Sequence, residues 1–317
     1  YVQQGEETRH NIVSHDVTGY GHVMLLNLRN LVEPISRGLL VDPFAPDYPP
    51  LTYACNDARE QGGLVIWCHN GRGMEAPIAA ALGKLDAMNL FDPYWVDVEY
   101  DLWYRMLNTG ARLPASTGSD WFVCSANRVY TQSEPKFTYK NWLGALRAGR
   151  TFITNGPALS LSVNGLEPGS TVNITPGEVL QTEINWQSHY GVSRVELIQN
   201  GSTVATREFP KGSRKDSFTT DITANTDGWM AARLGSGARD SFGQAIWAHT
   251  SPIYINAENV PSAERDRDAR WLVNQIDESL SWISTGAKFY TDAQRKEVLD
   301  LFGNGRDVYV QMTTSRK

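Results

Sequence analysis

Carboxylates and imidazoles stand where several strand-like segments of this sequence run out, which is where divalent metals are commonly held. In RLPASTGSD (Arg112 to Asp120), an extended segment over Arg112 to Ser116 runs into Gly118 and delivers Asp120 where the backbone turns. LVIWC (Leu64 to Cys68) ends at His69, and Gly71 and Gly73 loosen the turn that follows. WVDVEY (Trp95 to Tyr100) carries Glu99 near its end. Near the start, Gly5-Glu6-Glu7 and Gly21-His22 put a carboxylate and an imidazole beside glycines that allow close backbone approach. Each has a plain alternative: solvated charges at Glu6 and Glu7, a strand-start histidine at His22, and a hydrogen-bonded strand-end histidine at His69. Arg72 could clamp an anionic group, although a lone arginine in a loop is usually just solvated.

The elements that must position these groups read as parallel β/α units. Met74 to Asn89 has helix composition, with Ala79, Leu82 and Leu85 at helical spacing. Strand, helix, strand, strand then implies ligands at the carboxyl ends of the strands, on the rim of a barrel or sheet. Asp97, Glu99 and Asp101 alternate, so as a strand they would share one face, with Glu99 supporting the site from behind. The proline-rich stretch from Val32 to Tyr53 reads as a long surface loop, and His10 and His15 as loop residues. Asn127 to Gln132 is a further strand. Thr138 caps a helix running to Leu146 and stopped by Gly149, and Arg150 to Pro157 closes the first domain.

From Ala158 the pattern changes to alternating segments separated by turn residues, with Asn200-Gly201 a strong two-residue hairpin signal. About seven short strands over residues 158–257 suggest a small antiparallel β-sandwich, in which His189 and His249 are structural. Residues 258–317 form a helical appendage. Ser262 to Ile283 carries one apolar stripe, and a second helix starts at Thr291 with a capping box to Gln294. Both faces need a partner surface, on the first domain or on a second subunit.

Composition removes several function classes. With 317 residues, 41% of them hydrophobic, the chain can bury a sizeable core. Its 29 basic and 35 acidic residues give a net charge of -6, which indicates no nucleic-acid surface. No apolar run approaches the roughly 20 residues of a membrane helix. Three cysteines (Cys55, Cys68, Cys124) are too few and too scattered for a disulfide framework.

The order of GEET (Gly5 to Thr8), GHV (Gly21 to Val23), WCHNG (Trp67 to Gly71), WYRMLNTGARLPASTGSD (Trp103 to Asp120) and LRAGRTFITNGP (Leu146 to Pro157) resembles the carbaryl-hydrolase (CehA/McbA) type of metallohydrolase. That family is a branch of the PHP superfamily, named for polymerase and histidinol phosphatase. The resemblance covers about residues 1–160. It implies an α/β fold in which residues 1–157 form part of a distorted (β/α)7 PHP-type barrel lacking its N-terminal portion, followed by the β-sandwich and the helical tail. It also implies two or three divalent ions (zinc, manganese or iron) held by Glu7, His22, His69 and Asp120, with Glu6 replacing Glu7 if the register slips by one. Ester, carbamate or phosphoester substrates follow, with Arg72 and Arg128 as contacts for an anionic group.

Two family features are missing from this sequence. The opening HxH motif has no counterpart, and the late Asp-x-His motif reads Asp120-Trp121-Phe122. Either an N-terminal segment supplies the remaining ligands, or the barrel is a degenerate remnant in a binding or scaffold protein. The second reading draws on the aromatics of the tail, Trp271, Trp282, Phe289 and Tyr290. Homo-oligomerisation fits either, and both periplasmic or secreted and cytoplasmic locations stay open.

Overall fold

The computed structural model describes residues 5–12, 19–68, 71, 73–94, 97–119, 125–132 and 137–314. It is a mixed α/β structure with sheets and a C-terminal helical pair. Contacts divide it into two compact units: Tyr1–Asp86 with Thr109–Ala111 and Ala263–Lys317, and Ala87–Asn108 with Arg112–Ser262.

The first unit opens with β1 (Gly5–Asn11) and β2 (Gly21–Leu26), which pair antiparallel with Arg9 opposite His22. β3 (Ser36–Gly38) runs parallel to β1. Helix α1 (Leu51–Glu60) leads to β4 (Leu64–Trp67), antiparallel to β2, and α2 (Ala76–Ala81) follows, giving the strand order β3-β1-β2-β4. The parallel units expected around LVIWC are therefore not formed with β2. The proline-rich loop also ends earlier than expected, at Pro50. Leu51, Ala54, Cys55 and Ala58 are buried at helical spacing, and the stripe overrides the prolines before it. Pro50 offers the helix no side-chain cap; the buried Glu75 carboxylate accepts from the Leu51 and Thr52 amides instead, both at 2.7 Å.

The second unit begins with β5 (Ala87–Asn89), α3 (Asp97–Asn108) and β6 (Ala115–Ser116), the two strands parallel. Two expectations fail here. The helix expected over Met74 to Asn89 stops at Ala81, with Gly83 at φ 64° beyond it, and its last three residues form β5. WVDVEYD, expected as a strand, lies in α3 from Asp97 onward. Tyr100, Trp103, Tyr104 and Leu107 recur at i, i+3, i+4 and i+7 and are buried, so the helical stripe wins over a short alternation. Glu99 and Asp101, two residues apart on the helix, accordingly do not share a face. Glu99 is buried, while Asp101 pairs with Arg105 one turn on.

β7 (Arg128–Thr131) and α4 (Tyr139–Arg147) match their sequence signals; Thr138 Oγ1 accepts from the Asn141 amide at 3.0 Å. β8 (Thr151–Thr154), expected to close the first domain, is hydrogen-bonded antiparallel to β7 and to a later strand over Ala245–Thr250 in a large sheet. That sheet continues through β9 (Ala158–Val163), β10 (Thr171–Asn173), β11 (Glu178–Gln199), β12 (Ser202–Ala224), β13 (Gly228–Arg239), β14 (Ala245–Thr250) and β15 (Ile253–Asn256). Asn200 and Gly201 both adopt positive φ in the β11–β12 hairpin, as the sequence signal requires.

β11 and β12 are far longer than the short strands expected. The first half of β11 pairs with β9 and the second with β13, with register shifts between Gln187 and Arg194. There Gly191 and Gly212 stack with their backbones so close that a Cβ on either would meet the other at 3.0–3.2 Å. Both halves feed one core, which includes Leu161, Ile184, Trp186, Leu197, Met230 and Leu234.

The chain ends in α5 (Ala263–Thr285) and α6 (Asp292–Thr314), both belonging to the first unit. Leu272, Ile276, Ile283, Val298 and Phe302 are buried, and the Tyr309 hydroxyl donates to the Pro77 carbonyl at 2.9 Å. The apolar stripes thus find their partner within the same chain. Thr291 accepts from the Gln294 amide, and the Gln294 side chain reaches back to the Tyr290 amide. Of the tail aromatics, Trp282 packs edge-on against His10 and Tyr20, the Arg295 guanidinium covers Phe289, and Tyr290 is exposed.

Candidate metal centre

The antiparallel pairing of β1 and β2 sorts the polar residues of both strands onto two faces. Successive side chains alternate, so Glu6, Thr8 and His10 point one way and Glu7, Arg9 and Asn11 the other. His22 stands opposite Arg9 in register and joins the second group.

On that face the His22 ring is held between two residues of β1. Its Nε2 lies 2.8 Å from Asn11 Oδ1, and its Nδ1 lies 3.2 Å from Glu7 Oε1. With Asn11 accepting the Nε2 proton, the Nδ1 lone pair of the neutral ring is turned toward a carboxylate oxygen. Two electron-rich atoms at that distance are favourable only with a positive charge to share, a proton or a metal ion. His22 is buried and Glu7 about one-third exposed, so the pair is reachable from one side. Asn11 fixes the plane of the imidazole from behind, and it carried no motif of its own. The signal for it was the two-residue period Glu7, Arg9, Asn11.

Gly21 is demanded by geometry. It sits at φ 119°, and a Cβ there would meet the Trp67 ring at 2.3 Å, as would one on Gly73. The buried Trp67 indole therefore lies against two glycines, and the Cys68 amide donates to the His22 carbonyl at 3.1 Å. His69, Arg72 and Asp120 lie outside the described residues.

The opposite face of the hairpin is closed. Glu6 Oε2 accepts from the Val32 amide at 2.8 Å, and burial pushes its carboxyl above the usual range, so the register alternative to Glu7 points away from His22. His10, expected in a loop, lies in β1 and is fully buried. Its Nε2 donates to Asp47 Oδ1 at 2.7 Å, its Nδ1 accepts from the Tyr20 amide at 2.9 Å, and its ring stacks on Tyr20. Burial holds His10 below the ordinary histidine range, against the pull of Asp47. Asp47 Oδ2 in turn accepts from the Lys288 amide at 2.7 Å, which ties the α5–α6 connection to the strands. His15 lies outside the described residues.

In the second unit, Glu99 Oε2 accepts from the Phe91 amide at 3.3 Å. Arg128 Nη1 donates to the Ser125 and Asn127 carbonyls at 2.8 and 2.6 Å, so its guanidinium braces the turn ahead of β7. His249 is buried among Tyr100, Trp103 and Tyr104. Nδ1 donates to the Thr250 carbonyl and Nε2 accepts from the Tyr104 hydroxyl, both at 2.7 Å, and burial lowers its pKa to about 3. His189 is exposed on β11.

Among the described residues, no group of three or more His, Cys, Asp or Glu side chains is disposed to hold a metal ion. The donors brought together there are Glu7 and His22, with Asn11 behind the imidazole. No family model matches the sequence, and no curated protein matches it.

Proposed function

We propose that the chain is a metal-dependent hydrolase of the carbaryl-hydrolase type, acting on ester, carbamate or phosphoester bonds, with its first strands part of a distorted PHP-type barrel. The observation that supports this most is the Glu7–His22 pair: a carboxylate and the lone-pair side of an imidazole, 3.2 Å apart on neighbouring strands. Both donor types suit zinc, manganese or iron, and Asn11 holds His22 in the tautomer that leaves Nδ1 able to coordinate. His69 and Asp120 complete the proposed set by resemblance.

A divalent ion held there would supply a bound water acidified to near neutrality and positive charge for a developing oxyanion. The chain's own residues do the positioning. Glu7 contributes negative charge at the open side, Asn11 fixes the imidazole plane, and the Gly21–Trp67–Gly73 packing sets the backbone beneath His22. Elemental mass spectrometry of the purified protein, the Glu7→Gln variant and the His22→Ala variant tests this. A divalent ion bound by the parent and lost from both variants, together with hydrolysis of nitrophenyl esters or phosphoesters by the parent alone, is the expected result. A parent without bound metal after incubation with zinc, manganese and iron would move the scaffold reading to the front.

A further inference from the structure

Strand β12 has a free edge: among the described residues it pairs with β11 alone. The direction of its unused main-chain groups follows from the register of its neighbours. The Asn164 amide donates to the Gln181 carbonyl at 2.8 Å, so Gln181 turns its main-chain groups toward the β9 side. Alternate residues of an antiparallel strand turn theirs to opposite sides, so Thr182, Ile184 and Trp186 face β12. Their partners Thr220, Phe218 and Asp216 face back, which leaves Lys215, Ser217, Thr219 and Asp221 with amides and carbonyls directed away from β11. All four are exposed, and the stretch from Lys215 to Asp221 contains neither proline nor glycine, so every amide on it can donate.

The same stretch is complementary to itself. In an antiparallel pair of two copies with a twofold axis at Phe218, Lys215 stands opposite Asp221 and Ser217 opposite Thr219, each twice. These four pairs exchange about eight main-chain hydrogen bonds. No other twofold axis joins Lys215 to Asp221, and an axis at Asp221 would set two carboxylates face to face. On the opposite face of the strand, Phe218 and Ile222 are half-buried and pack at the rim of the core, so a second Phe218 at the axis covers apolar surface that one copy leaves open. Ser217 is guarded: its amide donates to Asp216 Oδ1 at 2.8 Å, and Arg207 Nη1 donates to its carbonyl at 2.9 Å. Side chains placed this way blunt an edge and must swing aside before it pairs. We propose that β12 pairs antiparallel with the β12 of a second copy of this chain, about Phe218, with Arg207 restraining the association.

Sedimentation equilibrium of the full chain tests the proposal. The parent is expected to dimerise, about tenfold more weakly as Lys215→Asp or Asp221→Lys, and with affinity restored when both changes are made, because the swap re-forms both ion pairs. Arg207→Ala frees the Ser217 carbonyl and is expected to tighten the dimer about threefold or more. Phe218→Cys is expected to form an intermolecular disulfide on mild oxidation where the parent forms none. Opposed residues that exchange no hydrogen bonds approach to about 4.5 Å between Cα atoms, within the reach of a disulfide. A parent that stays monomeric at its highest soluble concentration, a dimer indifferent to either charge reversal, or a double reversal no tighter than the singles would overturn the pairing. An uncrosslinked Phe218→Cys dimer would overturn its register, and an Arg207→Ala dimer no tighter than the parent's would overturn the restraint.

Discussion

The two faces of the β1–β2 hairpin carry the same residue types and use them in opposite ways. On one face His10 is fully buried, and both ring nitrogens are satisfied, by the Asp47 carboxylate and the Tyr20 amide. On the other His22 has one nitrogen held by Asn11 and the second turned toward the partly exposed Glu7. A histidine with every bond satisfied inside the protein is a structural part. One set beside a partly exposed carboxylate is, on the function proposed above, a place for a cation. Solvent access and the identity of the second partner separate them, and neither is visible in the motif around each residue.

The largest way to break this comparison is to open the closed face. Asp47→Ala removes the acceptor of both the buried His10 Nε2 and the part-buried Lys288 amide, leaving both donors unpaired and loosening the α5–α6 connection. A loss of about 3–5 kcal/mol in urea unfolding is expected. A loss below about 1 kcal/mol would mean that the helical pair is held by its apolar contacts alone.

On the open face, Asn11→Ala leaves both proposed ligands in place and removes the residue that orients one of them. Metal affinity is expected to fall about 10- to 100-fold, with little change in stability, as for other groups behind a ligating histidine. Competition with a chromogenic chelator reads this directly. An affinity equal to the parent's would show that Asn11 does not orient a ligand.

Histidine protonation sharpens the contrast in pH. His10 and His249 are both pushed below their unfolded value of 6.5 by burial, so the unfolded chain binds more protons as the pH falls beneath it. Their contribution to stability is present above about pH 6.5 and is lost as the pH falls toward their folded values. Each contributes a slope of up to about 1.4 kcal/mol per pH unit in that window. Chemical unfolding at pH 7, 6 and 5 should show a steep decline, flattened by about one proton's worth in His249→Gln. An unaltered slope in that variant would place the titration elsewhere.

How much of this was legible in the sequence depended on whether the deciding force was local. Thr138 and Thr291 cap helices through contacts three residues away, and Asn200-Gly201 turns a hairpin through its own dihedrals, so all were readable. The Gly5-Glu6-Glu7 and Gly21-His22 segments marked two residues, Glu7 and His22, that the fold brings to 3.2 Å. The cap on α1 was unreadable because it comes from Glu75, more than twenty residues away. WVDVEYD misled because seven alternating residues look like a strand until the apolar stripe that continues to Leu107 is counted. The bend that carries β11 from β9 to β13 depends on Gly191 meeting Gly212, a contact between strands that no single segment encodes.

The finest test of the two faces is a pair of neighbours with the same side chain. Glu6 is buried with its carboxyl raised above the usual range by burial, so as a carboxylate it weakens the fold once the pH exceeds its folded pKa. Its stabilising contribution is present only at lower pH, below the unfolded value. Glu6→Gln keeps an oxygen for the Val32 amide and removes the buried charge. It is expected to raise stability at pH 7 by less than about 1 kcal/mol, to give no gain near pH 4, and to leave metal binding unchanged. Glu7→Gln, one residue on and on the other face, is expected to leave stability within about 0.5 kcal/mol of the parent and to lose the metal. Thermal melts at both pH values beside metal analysis of the two variants would read both effects. If Glu6→Gln lost the metal and Glu7→Gln kept it, the cation site would belong to the face assigned here to the core.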